Sequence, residues 1–211
     1  SLVGSEMCIR DRVEQDVRLF KEANVNFIRT SHYPPRPDFL DLCDEYGIYV
    51  EDETSVAFVG QTIQYTMNDP AYTVKYMDTF AQQVERDKSH PCVIMWSLGN
   101  ESYYGDNMRL MNAYAHQEDP ERITIFSYPI TMQDDDEKVD VWSVHYADWD
   151  TDVACMLDQW KRGYSWPVPH RYPVLHDEST HIPCHDPKDL KRDPGIRTVS
   201  YTHLRAHETA A

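Results

Sequence analysis

The 211-residue sequence predicts an α/β fold built on a parallel sheet, and three observations carry that prediction. Short apolar runs alternate six times with stretches of helical periodicity, which is how successive βαβ units read. Residues 91–96, Pro-Cys-Val-Ile-Met-Trp, contain no charged or amide side chain, as expected of a strand covered on both faces. Seven glycines never form the Gly-x-Gly-x-x-Gly turn that usually announces a doubly wound sheet, so a barrel is the preferred arrangement. A complete (β/α)8 barrel needs about 250 residues, so one incomplete domain is expected.

The elements follow in order. Val13, Val17 and Phe20 fall at helical spacing, and the helix they define ends at Asn24 before a short strand over 27–32. Pro34, Pro35 and Pro37 close that strand and open a helix with Phe39, Cys43 and Tyr46 on its apolar side, capped by Gly47. The next strand covers 48–53. Asp69 and Pro70 form an N-cap and first-turn pair for a helix that buries Tyr76, Phe80 and Val84. After the 91–96 strand, Asp106 caps a helix with Met108, Met111 and Ala115 inward, stopped at Asp119-Pro120. Strands over 123–128, 139–146 and 172–179 complete the set, with a helix from Asp150 between the last two.

Composition narrows the function. A formal charge of −16 argues against nucleic acid and anionic membranes as partners, since both are bound by excess Lys and Arg. Twenty-five aromatic residues suit flat, partly apolar ligands such as sugar rings, and equally suit a packed core. Cys8, Cys43, Cys92, Cys155 and Cys184 are widely spaced with no Cys-x-x-Cys pair, so they read as reduced and structural. Residues 1–12 and 199–211 resemble translated sequencing-adapter remnants, which confines the native segment to 13–198 and implies that the parent protein continues on both sides.

Read to their carboxyl ends, the strands bring His32, Asp52 and Glu53, Asn100 and Glu101, His145 and Tyr146, and Asp177 and Glu178 towards one rim. In an α/β barrel the chemistry sits at that rim, because the loops after the strands converge there. Glu101 and Glu178 form a carboxylate pair of the kind glycoside hydrolysis needs, one to protonate the leaving oxygen and one to attack. Plainer readings stand beside this one. Glu101 also fits a helix N-terminal neighbour, His32 a turn residue and Tyr146 a packed core side chain. His176, Glu178 and His181 carry a Glu-x-x-His spacing that suggests zinc, but on a strand rather than on the helix that a zincin site requires.

The stretches Arg29-Thr-Ser-His-Tyr-Pro34, Leu42-Cys-Asp-Glu-Tyr-Gly-Ile-Tyr-Val50, His90-Pro91 and Trp96-Ser-Leu-Gly-Asn-Glu-Ser102 together resemble the catalytic barrel of glycoside hydrolase family 2, in its β-galactosidase branch. Counted against that family, the six strands are the second to seventh of eight in a partial TIM barrel. The resemblance implies a retaining exo-β-glycosidase acting on terminal β-linked sugars. In it, Glu101 is the acid/base and Glu178 the nucleophile. Asn100, His32 and His181 bind substrate, while Tyr146 and Arg29 support the nucleophile's side of the site.

The chain departs from the branch in two places: His176-Asp-Glu-Ser-Thr-His181 stands where the branch usually has Cys-Glu-Tyr-Ala-His, and the loop after the 48–53 strand differs as well. Where metal-dependent members carry Asp-Glu-Ala-Asn-Ile-Glu-Thr-His-Gly, it has Asp52-Glu-Thr-Ser-Val-Ala-Phe-Val-Gly60, with Ala57 and Val59 replacing two magnesium ligands. No metal and no other cofactor is therefore expected. The expected partner is a small carbohydrate, and the parent is compatible with a homo-oligomer. Lacking two strands, the chain alone is expected to be marginal in stability and inactive. A carbohydrate-binding or scaffold remnant of the same barrel is the alternative, and a zinc metallohydrolase a more distant one.

Overall fold

A computed structural model of the chain describes residues 2–61, 65–127, 139–145 and 173–178, with side chains from residue 10 onward. Helix α1 spans Leu2–Glu22. Its predicted stripe is present: Val17 is fully buried, with Val13 and Phe20 half-buried beside it. Strand β1 is only Phe27–Arg29, shorter than expected, because the backbone turns at once and the Tyr33 N–H donates to the Thr30 carbonyl at 3.2 Å. His32 consequently sits in a loop.

Helix α2, Pro37–Tyr46, buries Leu40, Leu42 and Cys43, with Phe39 and Tyr46 half-buried. Gly47, at φ 66°, closes it by donating its N–H to the Cys43 carbonyl, a left-handed conformation in which a Cβ would be strained. Asp44 ties this helix to the entry of β3, accepting from the Cys92 N–H at 2.7 Å and contacting His90 Nδ1 at 2.6 Å. Burial, and then this carboxylate, push the Cys92 thiol up, while burial chiefly pushes Cys43 up to about 12. Cys43 and Cys92 are both buried and free.

Strand β2 is Tyr49–Glu53. Asp69 caps a 3-10 turn, Pro70–Tyr72, by accepting from the Ala71 N–H at 2.9 Å, and α3 proper starts one turn later at Thr73–Asp87. The predicted face of α3 is buried as expected, with Phe80 and Val84 fully inaccessible. Strand β3, Val93–Asn100, runs four residues past Trp96 and is buried at every position but Ile94. Helix α4, Asp106–Glu118, is preceded by Gly105 at the cap position, so Asp106 lies in the first turn, where its charge favours the dipole. Strands β4 (Ile123–Ser127), β5 (Val141–His145) and β6 (Val174–Glu178) follow. The helix expected from Asp150 falls outside the described residues.

The six strands form one sheet in chain order, β1 to β6, and helices fill the connections after β1, β2 and β3. Parallel pairing of β1 through β5 is explicit in the register, from Phe27 opposite Tyr49 to Phe126 opposite Trp142. This is a partial (β/α)8 barrel, as predicted. Met95, Ile125 and Val141, with Ile94 and Leu175 against them, pack as one apolar cluster across β3 to β6. The chain divides into two compact units, Ser1–Val144 with Gly163–Leu175, and His145–Arg162 with His176–Ala211.

Candidate active site

Strand alternation decides which acids on β2 share a face. Glu51 and Glu53 point one way and Asp52 the other, so the expectation that Asp52 joins Glu53 at the site is corrected. Asp52 instead meets Gln83 and Asp87 of α3, and accepts from Thr30 Oγ1 at 3.4 Å. Burial, and then the neighbouring Asp87 carboxylate, raise the Asp52 carboxyl well above its usual range. Asp52 Oδ2 finds no hydrogen-bond partner among the described residues.

The other face holds a dense polar cluster in the first unit. The Arg29 guanidinium, whose side chain is only 6% exposed, donates to Glu53 Oε2 at 2.8 Å and to Asn100 Oδ1 at 2.6 Å. Its Nε also lies 3.5 Å from Glu51 Oε1. Glu53 further accepts from Ser97 Oγ at 3.0 Å and meets His32 Nδ1 at 2.8 Å. Charge-assisted bonds of this kind are what allow a fully buried carboxylate to stay in place.

Asn100 and Glu101 close β3 through an unusual backbone path. Gly99 adopts φ 151°, and a Cβ there would stand 2.7 Å from the Val56 carbonyl oxygen. That space is needed because the loop after β2 runs alongside: the Asn100 N–H donates to Val56 O at 2.7 Å and the Tyr103 N–H to Val59 O at 2.9 Å. Glu101 itself sits at φ 38°, a left-handed position that costs a non-glycine residue about 1 kcal/mol or more. Its N–H donates to the Ser127 carbonyl at 2.8 Å, its carbonyl accepts from Gln61, and its side chain is half-buried. With Oδ1 committed to Arg29, the Asn100 amide keeps a buried Nδ2 that has no hydrogen-bond partner among the described residues.

Of the residues predicted for the site, Arg29, His32 and Asn100 therefore belong to one network, and Glu101 adjoins it through the backbone. Glu178 ends β6 in the second unit, where its Oε2 lies 3.5 Å from His145 Nδ1; Asp177 Oδ1 stands 3.5 Å from His145 Nε2. Tyr146 and His181 lie outside the described residues. The sequence reading missed Glu51, Ser97 and Ser127 as members of the network. Their signal was the two-residue period of the strands, which puts Glu51 on the face of Glu53.

The loop after β2 carries Ala57 and Val59. Ala57 pairs with Asn100 in an isolated bridge and Val59 is buried, and neither side chain has an oxygen or nitrogen to offer.

Comparison with known proteins agrees with this architecture. The family model described as glycosyl hydrolases family 2, TIM barrel domain, matches residues 4–185. A β-galactosidase of Alteromonas mediterranea is 38% identical over 178 residues, covering 81% of this chain and 16% of the relative. A β-galactosidase of Vibrio cholerae is 46% identical over 111 residues, covering 52% of this chain and 11% of the relative. The chain thus spans less than a fifth of the length of these curated relatives. Among solved structures, the β-D-glucuronidase of Dictyoglomus thermophilum is similar with a TM-score of 0.62 and 27% identity, over 82% of this chain and 32% of that one. The β-glucuronidase 3 of Bacteroides uniformis gives 0.55 and 26%, over 65% and 18%. The chain belongs to glycosyl hydrolase family 2, through its TIM barrel domain.

Proposed function

We propose that the complete protein containing this chain is a retaining exo-β-glycosidase of the β-galactosidase type, with Glu101 as acid/base and Glu178 as nucleophile. The observation that carries the reading is the Asn100-Glu101 pair at the carboxyl end of β3. Arg29 holds the Asn100 amide oxygen, which leaves a buried amide donor for a sugar hydroxyl next to a half-buried carboxyl. Glu178 likewise stands at a strand's carboxyl end, the side where barrel enzymes do their chemistry.

In the first step Glu178 attacks the anomeric carbon while Glu101 gives its proton to the departing oxygen. In the second, Glu101 takes a proton from water, which displaces Glu178. Direct attack requires the two carboxyl groups to be about 5–5.5 Å apart. His145, 3.5 Å from Glu178, would orient the nucleophile. His32 and His181 would bind the sugar, and Tyr146 would hydrogen-bond the nucleophile. Magnesium takes no part beside Glu101.

The test is a full-length clone assayed with aryl β-galactosides and aryl β-glucuronides, alongside Glu101→Gln and Glu178→Gln. Turnover lost in both variants supports the reading. A folded wild-type protein that binds sugar without turnover identifies a carbohydrate-binding remnant instead, and bound zinc by elemental analysis a metallohydrolase.

A further inference from the structure

Arg29 faces two fully buried carboxylates, Glu53 and Glu51. Glu53 has the closer contacts and also His32 and Ser97 as partners. Glu51 is the additional acid, 3.5 Å from Arg29 Nε and accepting from Ser127 Oγ at 3.2 Å. An aliphatic side chain would fill the same interior position without the cost of desolvating a charge, so the carboxylate calls for a role beyond packing.

We infer that Glu51 is a positioning residue that holds Asn100 and Glu101 in register for the proposed glycosidase reaction. One arm runs from Glu51 to Arg29, whose Nη2 fixes Asn100 Oδ1 at 2.6 Å. The other runs from Glu51 to Ser127, whose carbonyl accepts the Glu101 N–H at 2.8 Å. The arms end on adjacent residues, at the point where the backbone passes through φ 151° at Gly99 and φ 38° at Glu101. The loop after β2 holds this backbone from one side, through Val56 and Phe58, and Glu51 reaches it by two further routes, through Arg29 and through Ser127. Its loss would let the Asn100 amide rotate and the Glu101 carboxyl drift from the leaving oxygen, which slows reactions that need the proton most.

The inference rests on Glu101 being the acid/base, and the test separates the two claims. The complete enzyme, with Glu51→Leu, Glu51→Gln, Ser127→Ala and Glu101→Gln, is assayed on phenyl and 2,4-dinitrophenyl β-galactoside. The dinitrophenolate leaves without a proton, so kcat/KM for the two substrates reports how well the acid is placed. For Glu51→Leu the phenyl substrate is expected to lose about ten- to a hundred-fold, and the dinitrophenyl substrate less. Glu51→Gln, which keeps an acceptor for Ser127, should recover part of the loss. The ratio of the two values does not depend on the fraction of folded enzyme, so a merely structural role would leave it unchanged. Should Glu51→Leu fail to fold, Glu51→Gln and Ser127→Ala give the same ratio. A wild-type ratio in the Glu51 and Ser127 variants, with the ratio altered in Glu101→Gln, overturns the inference alone. A wild-type ratio in Glu101→Gln overturns the acid/base reading and this inference with it.

Discussion

Replacing Arg29 by Met removes the guanidinium and keeps most of the side-chain volume. What remains is Glu53 and Glu51, both fully buried, deprived of a cation that now lies 2.7 Å and 3.5 Å away, and Asn100 without the donor on its Oδ1. Breaking a buried ion pair from one side costs about 3–5 kcal/mol, because the surviving charge stays desolvated and unpaired. For a domain of this size that is a fall in Tm of roughly 6–20 °C. Urea denaturation of wild type, Arg29→Met, Glu53→Gln and the double variant measures both the loss and its origin. If Arg29 chiefly neutralises Glu53, the double variant should be more stable than the sum of the single losses predicts. Arg29→Lys should fall between, since an ammonium keeps the charge but cannot bridge Glu53 and Asn100 as the planar fork does. A loss below about 1 kcal/mol in Arg29→Met, or strict additivity with Glu53→Gln, would refute the reasoning.

Gly99→Ala should cost far more activity than Gly47→Ala. A Cβ at Gly99 meets the Val56 carbonyl at 2.7 Å on a backbone tied by hydrogen bonds, whereas one at Gly47 meets nothing within 4 Å and costs only its left-handed conformation, about 1–2 kcal/mol. Equal kcat values for the two variants would contradict this. Asp52, with its carboxyl raised in the folded state, binds more protons folded than unfolded between its ordinary value near 3.9 and the raised one. Its contribution is therefore present at low pH and lost as pH rises through that window. Asp52→Asn should gain stability relative to wild type as pH increases, and parallel Tm–pH curves would exclude the effect. Chelator should leave glycosidase activity of the complete enzyme unchanged, since Ala57 and Val59 offer no ligand; loss with chelator and recovery with magnesium would show a metal site after all.

Much of this protein was legible in order along the chain. Helix stripes at Tyr76, Phe80 and Val84, and at Met108, Met111 and Ala115, are buried where the 3.6-residue period puts them, because one face of each helix must cover the sheet. The continuous apolar run before Asn100 is a buried parallel strand for the same reason. Terminal details were less legible. Asp69 and Asp106 each suit a helix start by residue type, but one caps a 3-10 turn and the other lies inside its helix, since the choice depends on where the incoming chain bends.

The sequence by itself determined the alternation of strands and helices, the family, and the acids that end the strands, because these follow from periodicity and residue type. Only the tertiary structure decided which acids work together. Asp52 and Glu53 are neighbours in the chain, yet the pleat sends one to Asp87 of α3 and the other to Arg29 and His32. Glu51, unremarked in the sequence, accepts a hydrogen bond from Ser127, 76 residues further on, brought beside it by the pairing of β2, β3 and β4. Contacts across such separations depend on register and shear between strands, and no local pattern of residues encodes them.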